Sequence, residues 1–285
     1  MELAEAAARL RAGEVIAFPT ETVYGLGANA LDERAVKRIY ELKGRPATSP
    51  LIVHVSSVEM ARGLVREWPA MAGELAARWW PGPLTLVLPK QPRVPGIVTA
   101  GLDTVGVRMP DHPIALDLID RAGIPLAAPS ANRFTQLSPT TAAHVREAFG
   151  DAVPVVDGGP CKVGIESAVV SLAGPAPLLL RPGTLDLGPM DTAAAPDGAH
   201  ASPGLHEHHY QPRTPLLLTA DPPSGRGRYV RVADLAADPE EYARNLYSLL
   251  HRLDREDLDW IALEPPPSGP AWAGIRDRLS RAAKK

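Results

Sequence analysis

Residues 15–30 read Val-Ile-Ala-Phe-Pro-Thr-Glu-Thr-Val-Tyr-Gly-Leu-Gly-Ala-Asn-Ala, and the sequence around this stretch decides the fold class. Val15–Phe18 is a short, wholly apolar run of the kind that forms a buried strand. Pro19 ends it, because proline has no N–H for a sheet ladder. Upstream, residues 3–11 read as a helix stopped by Gly13. Downstream, residues 19–32 read as a loop, and Ala35, Val36, Ile39, Tyr40 and Leu42 then fall at helical spacing over 33–42. A strand between two helices starts an α/β layering, and the pattern continues. Strands are predicted at 51–55, 84–88, 105–109, 125–128, 153–156, 168–172 and 177–180, with helices at 57–66, 69–79, 113–122 and 140–148.

Ten of the 34 residues from 182 to 215 are Pro or Gly, the composition of an irregular connection. The expected organisation is a large unit over 1–185, a linker over 186–214 and a small α/β unit over 215–285. The last has predicted strands at 215–218, 228–232 and 260–263 and helices at 239–253 and 271–283. At roughly 70 residues it is near the lower limit for folding alone and is expected to lean on the first unit.

Composition narrows the function classes. The 285 residues are 45% hydrophobic and 22% charged, which excludes a wholly disordered or collagen-like chain. The 31 prolines, about 11%, are roughly twice ordinary usage and imply short elements with stiff connections. The net charge is −3, with no basic tail or domain that announces nucleic acid, so an anion site has to be built locally from a few converging cations. Cys161 is the only cysteine and reads as a semi-buried small residue. The N-terminal MELAEAAARLRAGE lacks the basic and apolar segments of a signal peptide, and no apolar run approaches the ~20 residues of a membrane helix. Cytoplasmic residence and no membrane association are therefore expected.

Several motifs carry chemistry. Thr20, Glu21, Thr22 and Tyr24 form a polar cluster beyond a strand end, the usual ligand position in an open α/β sheet. Gly25-x-Gly27-x-x-Ala30 formally matches a relaxed dinucleotide fingerprint, yet six residues separate it from the strand, unlike the tight turn of a true one. Lys43 and Arg45 flank Gly44 at a helix end, where cations suit either the last carbonyls or a polyphosphate. His54 lies within an apolar strand, as a hydrogen-bonded core residue or a ligand contact. Arg108, ending another strand, needs an anionic partner. Ala128-Pro-Ser130-Ala-Asn132 follows a third strand, and Ser138-Pro-Thr-Thr141 opens a helix, placing hydroxyls where they cap the helix or bind phosphate. Gly164-Ile-Glu-Ser167 and Leu180-Arg181-Pro-Gly183 add a hydroxyl and another arginine. His206, His208 and His209 invite a metal reading, but no carboxylate or cysteine set pairs with them, and no metal site is expected. No nucleophile elbow, GxxxxGK[ST] loop or HExxH occurs, so a covalent mechanism is not indicated.

In order, PTETVYGLGANA, KGRP with PLIVHV, WWPGPLTLVL, VGVRMP, APSAN, SPTTAAHV, GIES and LLRPG resemble the YrdC-like threonylcarbamoyl-AMP synthases over about residues 5–185. Residues 202–215 and 274–283 resemble the linker and last helix of the longer, two-domain members. The resemblance implies a twisted, mixed, open α/β sheet flanked by helices, with a small C-terminal α/β domain. It implies a nucleotidyltransferase that converts L-threonine, bicarbonate and ATP to threonylcarbamoyl-AMP and pyrophosphate, for threonylcarbamoylation of tRNA adenosine 37 by downstream machinery. By motif position, Lys43 and Arg45 would be catalytic, near the phosphates. ATP would be bound by Arg45, Ser49, Thr104, Ser130, Asn132, Ser138, Arg181 and Tyr210, the last as a lid. Threonine would be bound by Thr22, His54, Arg108, Ala128 and Ser167, with Arg108 the partner of its carboxylate. Mg²⁺ would enter with the triphosphate rather than in a protein cage. Three departures stand out: after Asn132 the family commonly has a Gly before SPTT, whereas this chain reads Arg133-Phe-Thr-Gln-Leu137, with Thr135 expected to stiffen the loop; Ala168 replaces the hydroxyl residue usual after GIES; and the C-terminal domain is short for the class. The alternative reading is a double-stranded RNA or tRNA-binding module without synthase activity.

Overall fold

Local signals set the element ends. Asp32 accepts from the Arg34 and Ala35 N–H groups and so caps a helix that Gly44 closes in the left-handed region at φ 65°. Gly123 closes another in the same way, at φ 65°. The computed structural model describes residues 1–192 and 209–283.

The elements run α1 (Leu3–Arg11), β1 (Ile16–Phe18), β2 (Gly25–Asn29), α2 (Glu33–Lys43), β3 (Ile52–His54), α3 (Val58–Arg62), α4 (Ala70–Trp79) and β4 (Leu84–Pro89). They continue with β5 (Thr104–Arg108), α5 (Pro113–Ala122), β6 (Leu126–Ala127), α6 (Ala142–Phe149), β7 (Ala168–Ser171), β8 (Leu178–Arg181) and β9 (Asp191–Thr192). The rest comprises β10 (Leu216–Leu218), β11 (Gly227–Val230), α7 (Val232–Leu235), α8 (Pro239–Leu253), β12 (Trp260–Leu263) and α9 (Ala273–Ala282).

The first nine strands make one mixed sheet in the order β1-β2-β6-β3-β5-β4-β7-β8-β9. β3 runs parallel to β5, with His54 opposite Arg108, and β4 parallel to β7, with Leu84 opposite Ala168. These registers bring the ends of β3 and β5 and the start of β7 together at the same end of the sheet's strands, where the chemistry-bearing residues gather. The second sheet is three parallel strands, β10-β12-β11. Its core, built on Leu246, Leu250 and Ile261, also takes in Val23, Leu137 and Ile165 from the first unit, so the two units share buried apolar surface. No helix among the described residues is long and apolar enough to cross a membrane.

Four expectations differ from the structure. The 19–32 loop contains β2, which pairs with β1 from Phe18↔Gly25 to Ile16↔Gly27. The strand expected at 153–156 forms only a single bridge, between Val155 and Ala17. The 182–215 connection begins with β9, paired with β8. The strand expected over 228–232 ends at Val230, and Val232 opens α7.

Candidate functional site

The chain loops between β1 and β2, β6 and α6, and at the start of β7 converge on a cavity of about 50 Å³. Of the residues that the resemblance assigns to threonine, Thr22, His54, Arg108, Ala128 and Ser167 all line it. Of those assigned to ATP, Arg45, Ser130, Arg181 and Tyr210 line it. Thr20, Glu166 and His209, which the resemblance did not assign, line it too.

The residues that the resemblance assigns to threonine are fixed by the sheet. Arg108 Nη2 lies 2.6 Å from Glu21 Oε1, an ion pair in which both side chains are about 4% exposed or less. Arg108 Nε donates to the Gly82 carbonyl at 3.3 Å. Next to Arg108 across the β3–β5 register, His54 has its pKa pushed down to about 3, by burial first and by the Arg108 charge second. It is therefore a neutral imidazole at ordinary pH, and its buried Nδ1 has no protein partner. Thr22 Oγ1 and Thr20 Oγ1 are 2.9 Å apart, and Thr20 Oγ1 donates to the Val23 carbonyl at 2.7 Å. Ser167 Oγ lies 2.8 Å from Thr85 Oγ1 on β4. Tyr24, by contrast, donates from its hydroxyl to the Gly159 carbonyl at 2.7 Å and serves the loop behind the site.

The nucleotide-side residues are held less directly. Arg181 at the end of β8 donates to the Ser167 carbonyl at 3.1 Å and to Ser167 Oγ at 3.2 Å. Arg45 donates to Ser49 Oγ and to the Pro50 carbonyl, so Ser49 supports the guanidinium rather than lining the cavity. Burial lowers the Arg45 pKa to about 10 and also lowers that of Arg181. Two buried guanidiniums facing one small space favour an anion between them.

Lys43 does not line the cavity. Its buried ammonium donates to the Ser130 and Asn132 carbonyls, at 2.6 Å each, and stitches the 128–132 loop to the end of α2. Burial, then the Arg45 charge, push its pKa well below the usual lysine range. The Asn132 side chain donates to the Arg133 and Gln136 carbonyls, at 2.8 Å each. Ser138 is fully buried and donates from Oγ to Glu166 Oε1 at 2.5 Å. Thr104 starts β5 opposite Pro89 and is half-buried, away from the cavity.

Tyr210 and His209 complete the lining of the cavity. The Tyr210 ring stacks on Tyr247 at 5.9 Å, and its buried hydroxyl has no protein partner. Burial drives the His209 pKa well below its usual value, so His209 is neutral. Gln211 N–H donates to the Thr135 carbonyl at 2.8 Å, pinning this end of the connection to the loop before Ser138. Thr135 itself adopts φ 68°, a left-handed conformation unfavourable for a β-branched residue. His206 and His208 lie outside the described residues.

Glu21 belongs to the polar cluster after the first strand, although its pairing with Arg108 is not expected from the sequence, whereas no local signal marks Glu166, which meets Tyr247 and Arg278, 81 and 112 residues away. Cys161 is buried, and its thiol is pushed up to about 12, mainly by burial, so it is not a nucleophile here.

Comparison with known proteins agrees with this arrangement. Residues 8–183 match the family model of the Sua5, YciO and YrdC proteins, described as "Telomere recombination", and residues 178–284 match one described as "Threonylcarbamoyl-AMP synthase, C-terminal domain". The chain is 42% identical to a threonylcarbamoyl-AMP synthase of Pyrococcus abyssi, over 98% of this chain and 93% of that one. It is 40% identical to one of Bacillus subtilis, over 99% and 93% respectively. The crystal structure of P. abyssi Sua5 complexed with L-threonine superposes with a TM-score of 0.93 at 41% identity, covering 99% of this chain and 94% of that one. With residues 8–183 and 178–284 matching the two models and relatives of 40–42% identity spanning nearly the whole chain, the chain belongs to the Sua5/YciO/YrdC family, in the form that carries the threonylcarbamoyl-AMP synthase C-terminal domain.

Proposed function

We propose that the protein is an L-threonylcarbamoyladenylate synthase. The observation that carries this reading is the cavity itself. Three buried arginines, Arg45, Arg108 and Arg181, converge with hydroxyls and a neutral histidine, and no activated nucleophile stands among them. That composition suits a reaction whose difficulty is bringing two anions together. The threonine amine adds to bicarbonate-derived CO₂ to give a carbamate. A carbamate oxygen then attacks the α-phosphorus, and the bond to the pyrophosphate oxygen breaks. Arg108 holds the threonine carboxylate, offset by Glu21 behind it. His54 Nδ1 and the Thr22 and Ser167 hydroxyls supply neutral polar contacts. Arg45 and Arg181 screen the phosphates, with Ser130 alongside, and Lys43 fixes the loop that carries Ser130.

A divalent cation finds no free carboxylate in this cavity, because Glu166 is engaged by Ser138, Tyr247 and Arg278. Mg²⁺ therefore fits as a companion of the triphosphate, where it supplies charge neutralisation. Pockets for ligands of this size run roughly 300–1,000 Å³. At about 50 Å³ the present cavity is too small for ATP, and His209 and Tyr210, at the end of the connection between the units, are among its walls. The product is a reactive mixed anhydride, suited to prompt transfer to tRNA adenosine 37 by downstream machinery in the cytoplasm.

The test is pyrophosphate release from ATP. It should require both L-threonine and bicarbonate. ATP turnover indifferent to threonine would sink the synthase reading, and RNA binding with no ATP turnover at all would favour nucleic-acid binding alone.

A further inference from the structure

The C-terminal unit meets the first at two of the motifs that build the cavity, 164–167 and 181–183. The contact is backbone to backbone: a Cβ on Gly274 of α9 would sit 2.4 Å from the Gly183 carbonyl oxygen. Such an approach fixes α9 against this segment and brings Arg278, one turn further along, into the interior with no exposed surface.

Arg278 makes four contacts there. Nε donates to Glu166 Oε2 at 2.8 Å, Nη2 to the Glu166 carbonyl at 3.0 Å, and Nη1 to the Pro182 carbonyl at 3.0 Å and to Asp277 Oδ2 at 2.6 Å. Tyr247 of α8 donates to the same Glu166 Oε2 at 3.1 Å. The other carboxylate oxygen, Oε1, accepts from Ser138 Oγ at 2.5 Å. Pro182 directly follows Arg181, and the Arg278 guanidinium also sits 5.6 Å above the Tyr210 ring. One buried side chain of the small unit thus reaches three groups on the nucleotide side. A buried charge pair stabilises little against an apolar replacement, so fixing geometry is the better-attested use of such a network.

We infer that Arg278, assisted by Tyr247, is a positioning residue for the nucleotide side of the site. It acts across the unit boundary, through the Glu166 carboxylate on Ser138 and through the Pro182 carbonyl on Arg181. The threonine side has its own anchors within the first sheet: Arg108 on Glu21 and Gly82, and Ser167 on Thr85. Ser167 alone is shared, through its bonds from Arg181, so loss of Arg278 should bear more on the nucleotide side than on the threonine side. The inference rests on the proposed synthase function for its assignment of the two sides.

The experiment titrates ATP and L-threonine separately into the full-length protein by calorimetry and follows pyrophosphate release in parallel. In Arg278→Met, the ATP Kd should weaken about tenfold or more while the threonine Kd moves less than about threefold. Tyr247→Phe keeps the ring and should weaken ATP by about threefold alone. Arg278→Met combined with Glu166→Gln should be no worse for ATP than Arg278→Met, because the two act as one unit. Equal losses for both ligands, additive losses in the double variant, or an unchanged ATP Kd would each overturn the inference. If Arg278→Met loses its cooperative thermal transition, Tyr247→Phe decides, and an unchanged ATP Kd there overturns it. Wild-type protein that binds both ligands but releases no pyrophosphate defeats the synthase reading instead, and the calorimetric split remains readable.

Discussion

The two sides of the cavity are built by different means. The side proposed for threonine hangs from adjacent strands: His54 and Arg108 face each other across β3 and β5, and Ser167 is tied to Thr85 on β4. The side proposed for the nucleotide is assembled from ends and loops. Lys43 at the end of α2 holds the 128–132 loop, Ser138 is held through Glu166 by the C-terminal unit, and Tyr210 arrives on the connection between units. A sheet holds a small, invariant ligand in fixed geometry. Loops and a second unit leave the wall that carries His209 and Tyr210 less tightly tied to the sheet.

The strongest way to break this contrast is at Arg108. Arg108→Ala removes the cation expected to pair with the threonine carboxylate and leaves Glu21 buried without its ion pair. The threonine KM should rise about 100-fold or more with ATP affinity changed far less. Equal loss of both would make Arg108 a structural residue.

Lys43→Met should have the opposite selectivity. With the Ser130 and Asn132 carbonyls released, ATP-dependent turnover should fall on the order of 10²-fold while threonine binding persists. An unchanged rate removes Lys43 from the account.

The third prediction concerns pH. The His54 pKa is lowered in the folded state to about 3 from an ordinary 6.5, so the unfolded chain binds the proton more tightly. His54 thus contributes stability that is fully present above about pH 6.5 and is lost as pH falls towards 3. Between pH 7 and pH 5 the wild type should lose about 2 kcal/mol more than His54→Gln in urea unfolding. Equal pH dependence in the two proteins would show that His54 is not held neutral.

The smallest expected effect is at Thr135. A β-branched residue at φ 68° is strained, so Thr135→Gly should stabilise by about 0.5–1 kcal/mol after the unfolded-state entropy of glycine is counted. A lowered urea midpoint would mean that the bond from Gln211 depends on the threonine.

Much of the fold was legible in the sequence because its elements carry local signals. The Pro113–Ala122 helix has proline at its start and glycine beyond its end, and its bounds follow from these alone. β2 was not legible: Gly-Leu-Gly-Ala-Asn has weak strand propensity, and its glycines look like loop residues. They are needed because Phe18 of the paired strand covers them; a Cβ on Gly27 would lie 2.5 Å from Phe18 Cε1. In the site, the motifs pointed to the residues that line the cavity but not to what those residues rest on. Glu21 pairs with Arg108 and Glu166 with Arg278 across long sequence separations, and neither pairing leaves a periodicity or spacing to read. Ser138 was expected beside the nucleotide, yet its hydroxyl is occupied by Glu166, a contact that only the folded chain reveals.

The most direct measurement supplies isotopically labelled bicarbonate with ATP and L-threonine to the full-length protein and follows the label by chromatography and mass spectrometry. The account predicts label in a threonine-containing adenylate, formed in step with pyrophosphate and absent when any one substrate is withheld. Pyrophosphate release with no label in an adenylate, or an adenylate formed without bicarbonate, would contradict it.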